Sequence, residues 1–249
     1  MKMIINFILI GVVQGITEFL PVSSSGHIVL FGSIFNMDNL LLLSVVAHIG
    51  TLFAVMFCYR NKFKELIKKP FCETNLKLLI ATIPTIIIVV LFNSFLEEHF
   101  SKHALVWGFL ISAILLIVAD LNKITNKPLN KRRALIMGVS QGFALLPGVS
   151  RSGTTLAFGL LSGAKKEDVL DFSFLMSVPI ILASGAYETI KIVNVQIDVN
   201  WLGVFVVMIT SFIFGILSIK LMLKIVRNNK LYFFSFYLVA LSLLVLFLV

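Results

Sequence analysis

The stretch GVVQGITEFLPVSSSGH at residues 11–27 recurs as GVSQGFALLPGVSRSGT at residues 138–154. The two copies align without a gap, and they share glycine, glutamine and serine positions. A polar pattern that repeats inside an apolar chain indicates a duplicated structural unit. Glu18 and His27 occur only in the first copy, and Arg151 occurs only in the second. The chain therefore predicts one geometry used twice, with the charged groups divided between two halves.

The composition predicts a helical membrane protein. Of the 249 residues, 59% are hydrophobic and only 13% are charged, whereas charged residues make up about 25% of a typical soluble chain. The apolar residues form continuous runs, which are typical of membrane helices and differ from the alternating pattern of a transmembrane β-barrel. The net charge of +9 comes from loops beside these runs, so we expect a lipid bilayer as partner and no nucleic acid.

The apolar pattern predicts an all-α polytopic fold with two kinds of segment. Two apolar segments, 3–35 and 134–163, are interrupted by Pro21 and Pro147 and by serines suited to cap a following helix. We expect each to be a re-entrant helix–loop–helix whose broken backbone faces protein or a watery cavity. Six other segments have roughly the 20 residues that a membrane span requires. They are 40–59, 78–96, 104–121, 169–187, 201–222 and 231–249.

The distribution of lysine and arginine predicts the orientation of the chain. The positive-inside rule places 17 of the 21 positive residues in cytoplasmic loops and both termini outside. Within a single membrane domain, 1–249, repeat one covers about 1–121 and repeat two about 134–249. Each repeat has one re-entrant segment and three spans, and because three is odd the repeats are inverted. In such folds the site forms near the midplane, where the broken helices meet.

The two polar loops predict an anion site. Two helix N-termini directed at a common point favour negative charge, and Arg151 offers a fork of donors that matches phosphate oxygens. An arginine at membrane depth is costly enough to indicate function, although pairing with a buried acid such as Glu18 is the alternative. The expected hydroxyl donors and close-approach glycines are Ser23, Ser24, Ser25, Gly26, Ser150, Ser152 and Gly153.

Three further polar residues could take part in chemistry. Gln14 and Glu18 are four residues apart on one helix face, and their oxygens suit Mg²⁺ or Ca²⁺ beside a phosphate. The alternative is that Glu18 pairs with Arg151, with or without a metal. His27 follows the serine run and suits an acid, base or nucleophile. His48, in the middle of a span, is expected to pack between helices, with contact to the site as the alternative.

Two motifs resemble a known family. QGITEFLPVSSSGH at 14–27 is similar to the (E/Q)-x-x-x-E element followed by P-x-S-S-x-G-H in the undecaprenyl-pyrophosphate phosphatases of the bacitracin-resistance type. PGVSRSGTT at 147–155 is similar to their P-G-x-S-R-S-x-x-T element. The resemblance implies removal of the terminal phosphate from a C55 polyprenyl diphosphate, which recycles the lipid carrier for cell-wall synthesis and confers bacitracin resistance. It also implies a divalent cation and an active site open to the extracytoplasmic side of the bacterial cell membrane.

The resemblance also implies roles for individual residues. Glu18 matches the essential acid of the family, His27 its histidine, Ser24 its motif serine and Arg151 its arginine. Thr155 is the last residue of the second motif, and we expect it to bind phosphate. The nucleophile stays open between Ser24 with His27 as base, His27 itself and a metal-bound water. We favour His27, acting directly or on Ser24, because a serine needs a nearby base.

A second function is compatible with the same pattern. Inverted repeats with broken helices at the midplane are also a transporter design, so a polyprenyl-phosphate transporter or flippase is the alternative. Hydrolysis requires an activated nucleophile in addition to a binding site, and Glu18, Ser24 and His27 together offer one. The sequence leaves open whether the protein assembles as a homodimer.

Overall fold

The computed structural model describes residues 2–35, 37, 39–98, 102–122, 126–193, 199–227 and 231–248, and this part of the chain is helical apart from short connections. The helices are α1 (Lys2–Phe19), α2 (Ser24–Ile34), α3 (Leu40–Cys58), α4 (Arg60–Lys68), α5 (Glu73–Glu98), α6 (Lys102–Leu121), α7 (Lys131–Phe143), α8 (Arg151–Leu161), α9 (Lys166–Val193), α10 (Trp201–Arg227) and α11 (Tyr232–Leu248). The all-α prediction is confirmed.

Five of the six predicted spans form helices long and apolar enough to cross a membrane. They are α3, α5, α6, α9 and α10, so the protein is a polytopic membrane protein. The sixth predicted span, 231–249, forms α11, which has 17 residues, at the short end of the range of about 17–25 residues for a membrane helix. That α11 crosses the membrane stays a prediction. The loop predicted at 60–77 contains the short basic helix α4.

Both predicted breaks are present. Pro21 lies between α1 and α2, and Pro147 lies between α7 and α8. Proline ends a helix because it lacks an N–H donor and clashes with the preceding turn. The helix–loop–helix form of both segments is thus confirmed, while their re-entrant path relative to the bilayer stays a prediction.

The contacts between helices follow the duplication. The alignment of the halves pairs α1 with α7, α2 with α8, α3 with α9, α5 with α10 and α6 with α11. In the structure α1 packs on α10 and α7 packs on α5, while α3 packs on α9 and α6 packs on α11. When the halves are exchanged, the α1–α10 contact becomes the α7–α5 contact, and the α3–α9 and α6–α11 contacts each become themselves. This is the pattern that a two-fold relation between the halves produces.

A G-x-x-x-G pattern in each half allows this close packing. It occupies residues 11–15 on α1 and 138–142 on α7. A Cβ atom added to Gly138 would overlap the backbone of Ala81 on α5, and one added to Gly11 would overlap α10. Lipid tails are as apolar as leucine, so membrane helices associate through close packing of this kind. The glycines therefore hold the two broken segments against long helices.

Two buried phenylalanines pack together at the end of α1. Phe19 and Phe174 are each no more than 1% exposed. The rings of Phe19 and Phe174 meet edge to face, with centroids 5.6 Å apart, a favourable geometry for aromatic pairs. Phe19 directly follows Glu18, so its anchoring fixes the place where the Glu18 carboxylate leaves the helix.

Gly138→Ala tests the close packing. We expect this variant to lose about 1–3 kcal/mol of stability through overpacking, which lowers the thermal midpoint in detergent by roughly 3–10 °C for a chain of this size. Gly185→Ala is the matched control, because nothing lies within 4 Å of a Cβ at Gly185. A midpoint for Gly138→Ala equal to that of the control would contradict the packing argument.

Candidate active site

The break between α1 and α2 presents a turn of unusual geometry. Ser23, the residue before α2, has φ 68° and ψ 94°, a region that residues other than glycine rarely adopt. Its hydroxyl accepts a hydrogen bond from the backbone N–H of Gly26 at 3.4 Å and so caps α2. The turn places Ser24 as the first residue of α2, beside the end of α1.

The break between α7 and α8 is pinned to α6. Gly148 has a positive φ of 81°, and a Cβ there would lie 2.5 Å from the carbonyl oxygen of Leu105, so only glycine fits this approach. The backbone N–H of Ser150 donates to the hydroxyl of Ser112 at 2.8 Å. The Ser150 hydroxyl in turn accepts from the N–H of Gly153 at 3.1 Å. The predicted serine caps of α2 and α8 are both confirmed.

The two breaks meet, as predicted. The Ser152 hydroxyl donates to the carbonyl oxygen of Leu20 at 2.9 Å. The guanidinium of Arg151 forms an ion pair and a hydrogen bond with the Glu18 carboxylate through Nη2 and Oε1. The structure therefore joins the acid of the first half to the cation of the second.

The other carboxylate oxygen of Glu18, Oε2, lies close to three polar groups. Ser24 Oγ donates to Oε2 at 2.7 Å, and Gln14 Nε2 donates to it at 3.0 Å. His48 Nε2 lies 3.6 Å from the same atom. Glu18 is only 6% exposed, and these contacts compensate the loss of water around its charge.

A cavity of roughly 140 Å³ opens beside this cluster, far more than the 10–15 Å³ that one water needs. Its walls come from both breaks, from α3 and from α9. The lining residues are Thr17, Glu18, Ser23, Ser24, Ser25, His48, Ala144, Val149, Ser150, Arg151, Ser152, Ile180, Ile181 and Ser184. The first turns of α2 and α8 both reach it, so hydroxyls, free N–H groups and one guanidinium surround a space suited to an anion.

Arg151 keeps donors for a ligand. A guanidinium has five N–H donors, and within the described part of the chain Glu18 is its one hydrogen-bond partner. Its Nη1 atom is buried without a partner among those residues. A buried donor without an acceptor is unfavourable, so an anionic ligand that bonds to this guanidinium would gain affinity.

Several predicted residues lie outside the cavity walls. The N–H groups of Gly26 and Gly153 are used by the serine caps, and the contact of these glycines with phosphate stays a prediction. The Thr155 hydroxyl is 0% exposed and bonds to the Arg151 carbonyl at 3.0 Å and to the Ser173 hydroxyl at 2.7 Å. Thr155 thus joins α8 to α9 and does not face the cavity.

His27 is also outside the cavity walls. The residue is 3% exposed, and its Nδ1 lies 2.7 Å from the carbonyl oxygen of Ser23. Its Nε2 lies 2.6 Å from the hydroxyl of Tyr237 on α11. The structure therefore brings Ser24 to Glu18, and it does not place the ring of His27 against Ser24.

His48 occupies the place in the cavity that was expected for His27. Its Nδ1 bonds to the carbonyl oxygen of Ser44 at 2.8 Å, which turns Nε2 towards Glu18. The sequence contained a signal for this position, because an ionisable residue in the middle of an apolar span usually has a function. For His48 the structure favours the alternative, contact with the site, over packing between helices alone.

Residues 7–244 match the family described as bacitracin resistance protein BacA. The chain belongs to this family. It is 39% identical to an undecaprenyl-diphosphatase of Methanococcus maripaludis over 96% of this chain and 98% of the relative. It is 36% identical to those of Carboxydothermus hydrogenoformans, over 92% and 91%, and of Thermosipho africanus, over 97% and 99%. The match to the bacitracin resistance family includes both broken segments.

Oxygen donors for a cation are few in this member of the bacitracin resistance family. Among the described residues, no group of three or more histidine, cysteine, aspartate or glutamate side chains could hold a metal ion. Glu18 supplies one carboxylate, and Gln14 has a buried Oε1 atom without a partner in the described part of the chain. Mg²⁺ is often bound by one or two carboxylates together with substrate phosphates, so these two donors fit a cation that arrives with a phosphate ligand.

Arg151→Ala tests the anion site by binding alone. We expect inorganic pyrophosphate to bind the variant at least about tenfold more weakly in isothermal titration calorimetry, since hydrogen bonds to charged groups contribute about 1.5–3 kcal/mol. Arg132→Ala is the control, because Arg132 is exposed on α7 and does not line the cavity. Equal affinities for both variants would contradict the assignment of Arg151 as the anion ligand.

Proposed function

We propose that the protein hydrolyses undecaprenyl diphosphate to undecaprenyl phosphate and inorganic phosphate, which recycles the lipid carrier for cell-wall synthesis and confers bacitracin resistance. The observation that carries this proposal is the contact of Ser24, Glu18 and Arg151 at the wall of one cavity. A hydroxyl, a base and a phosphate-binding cation are the groups that phosphoryl transfer requires. The names of the relatives supply the same substrate.

The cavity offers a place for the diphosphate. Arg151, the serine hydroxyls and the free N–H groups of the first turns of α2 and α8 bind the phosphate oxygens. The apolar side chains of Val149, Ile180 and Ile181 line another part of the wall, where the first isoprene units of the lipid fit. The diphosphate is therefore bound at the two breaks, and the prenyl chain extends from the cavity along apolar helices.

We propose Ser24 as the nucleophile and Glu18 as its base. Ser24 Oγ already donates to Glu18 Oε2 at 2.7 Å, within the reach that a general base needs. Attack forms a bond from Ser24 Oγ to the terminal phosphorus and breaks its bond to the bridging oxygen, so undecaprenyl phosphate leaves and the Ser24 proton passes to Glu18. Water then attacks the phosphorus of the phosphoserine and breaks its bond to Ser24 Oγ. Ser24 takes its proton back from Glu18, and inorganic phosphate leaves with the oxygen and protons of the water. Arg151 balances the negative charge in both steps.

A divalent cation is part of the proposal. Glu18 and Gln14 would hold Mg²⁺ or Ca²⁺ together with substrate oxygens. When bound, the cation supplies positive charge that neutralises the diphosphate.

Phosphate release is the direct test. Purified protein in detergent should release phosphate from undecaprenyl diphosphate, faster with Mg²⁺ than with a chelator. Ser24→Ala and Glu18→Gln should each slow release by at least about 10²-fold, because general-base catalysis contributes typically 10²–10⁴-fold. Ser33→Ala is the control, since Ser33 is exposed at the end of α2 and lies away from the cavity.

Two outcomes would contradict this function. Normal turnover of Ser24→Ala would exclude Ser24 as the nucleophile. No release from folded wild-type protein, together with movement of a polyprenyl phosphate across vesicles, would favour the alternative of a transporter that uses the same broken helices.

We also propose the location. The protein lies in the cell membrane as two inverted repeats, with both termini outside and with the cavity opening to the extracytoplasmic side. The clustering of positive charge in loops 60–77 and 122–133 supports this orientation. The extracytoplasmic opening is what the resemblance to the bacitracin-resistance family implies.

Labelling of single cysteines tests the orientation. In a Cys58→Ala, Cys72→Ala background, Ser33→Cys at the end of α2 should react with a membrane-impermeant maleimide in intact cells. Lys131→Cys at the start of α7 should react only after the membrane is opened. Both positions are exposed. Labelling of both from the same side would contradict the inverted repeats.

A further inference from the structure

The last helix contributes a residue to the first broken segment. Tyr237 on α11 lies 210 residues after His27 in the sequence. Its ring stacks on the imidazole, with centroids 5.7 Å apart and an angle of 8° between the planes. Its hydroxyl lies 2.6 Å from His27 Nε2.

The hydrogen bonds of His27 determine its tautomer. A backbone carbonyl oxygen only accepts hydrogen bonds, so the atom that faces Ser23 O at 2.7 Å must be Nδ1–H. In the neutral ring Nε2 then carries the lone pair and accepts from the Tyr237 hydroxyl. Both nitrogens are occupied, and 3% of the residue is exposed. This imidazole has no nitrogen left for a substrate.

The carbonyl that His27 holds belongs to the strained turn. Ser23 has a positive φ of 68°, which is unfavourable for a residue with a side chain and persists only when the surroundings enforce it. The backbone N–H of His27 also donates to the Ser23 carbonyl oxygen, at 3.3 Å. His27 therefore binds this carbonyl twice, and Ser24 follows directly with its hydroxyl on Glu18.

Helix α6 contacts both members of this pair, the ring of His27 and the helix that carries Tyr237. The ring of Phe109 meets the His27 ring edge on, with centroids 6.0 Å apart. The hydroxyl of Ser242, further along α11, donates to the carbonyl oxygen of Val106 on α6 at 3.1 Å. Tyr237 itself is 46% exposed. Burial therefore does not fix its hydroxyl, and the packing of α11 on α6 places it beside His27.

We propose that Tyr237 is a positioning residue that aims Ser24 at Glu18 through His27, and that His27 acts as a clamp on the Ser23 turn and not as base or nucleophile. The proposal rests on the function proposed above. The last helix of the second half thus takes part in a reaction whose nucleophile and base lie in the first half.

Tyr237→Phe is the first test, because it keeps the stacked ring and removes only the hydroxyl. We expect kcat for phosphate release to fall about ten- to a hundredfold, since a small misplacement of a reacting group costs up to about 10²-fold. We expect KM and the thermal midpoint to stay close to the wild-type values. Tyr232→Phe is the matched control on the same helix, where the ring packs on Phe233 and Phe236, and it should retain the wild-type rate.

His27→Asn separates a clamp from a base. The asparagine amide can still donate to the Ser23 carbonyl but has no counterpart of Nε2. A clamp predicts residual turnover within about a hundredfold of wild type, and no further loss when Tyr237→Phe is added, because residues in one hydrogen-bond network are not additive. Complete loss in His27→Asn with a normal rate in Tyr237→Phe would overturn the proposal.

A spectroscopic measurement decides the contact independently of turnover. In protein with ¹⁵N-labelled histidine, the His27 resonances, assigned with His27→Asn, should show the neutral tautomer protonated at Nδ1. Tyr237→Phe should shift the Nε2 resonance and Tyr232→Phe should not. A neutral ring protonated at Nε2, or an Nε2 resonance that does not shift in Tyr237→Phe, would refute the contact. Absence of phosphate release from wild-type protein would refute only the function proposed above.

Discussion

The Glu18 carboxylate and the Arg151 guanidinium form an ion pair in a buried part of the structure, where either charge without the other would be unfavourable. Buried charged groups are costly unless they are paired and hydrogen-bonded, and here each half of the chain brings one partner. Removing either would leave an isolated buried charge. The pair therefore joins the halves, and the breaks in α1–α2 and α7–α8 exist where the two groups and the helix N-termini must come together.

Broken backbone in a buried position has to be compensated locally. The serine caps of α2 and α8 and the hydroxyl of Ser112 accept N–H groups that would otherwise lack partners. Close packing holds the broken helices in place, because the glycines at 11–15 and 138–142 let α10 and α5 approach their backbones. Rigid, closely packed surroundings can maintain the strained conformation of Ser23 beside the cavity.

The duplicated scaffold is nearly symmetric, whereas its chemistry is not. The first copy supplies Glu18 and Ser24, and the second supplies Arg151 in a matching position of its own turn. Helices outside the repeated motif complete the arrangement, because His48 on α3 and Tyr237 on α11 reach the first copy. One geometry thus brings two helix N-termini to the same cavity, and a few differing side chains give the two turns different chemical groups.

The helical membrane fold and the two breaks could be predicted from the sequence, because apolar run length and proline act locally. The pairing of Glu18 with Arg151 was one of two alternatives, since a buried acid can be balanced by a metal or by an arginine. The packing of the helices was needed to show that the N–H groups of Gly26 and Gly153 bond to the serine caps, that His48 faces the cavity and that His27 bonds to Tyr237. Those outcomes depend on how helices far apart in sequence pack, and the direction of an imidazole ring follows from the nearest acceptor and donor in space.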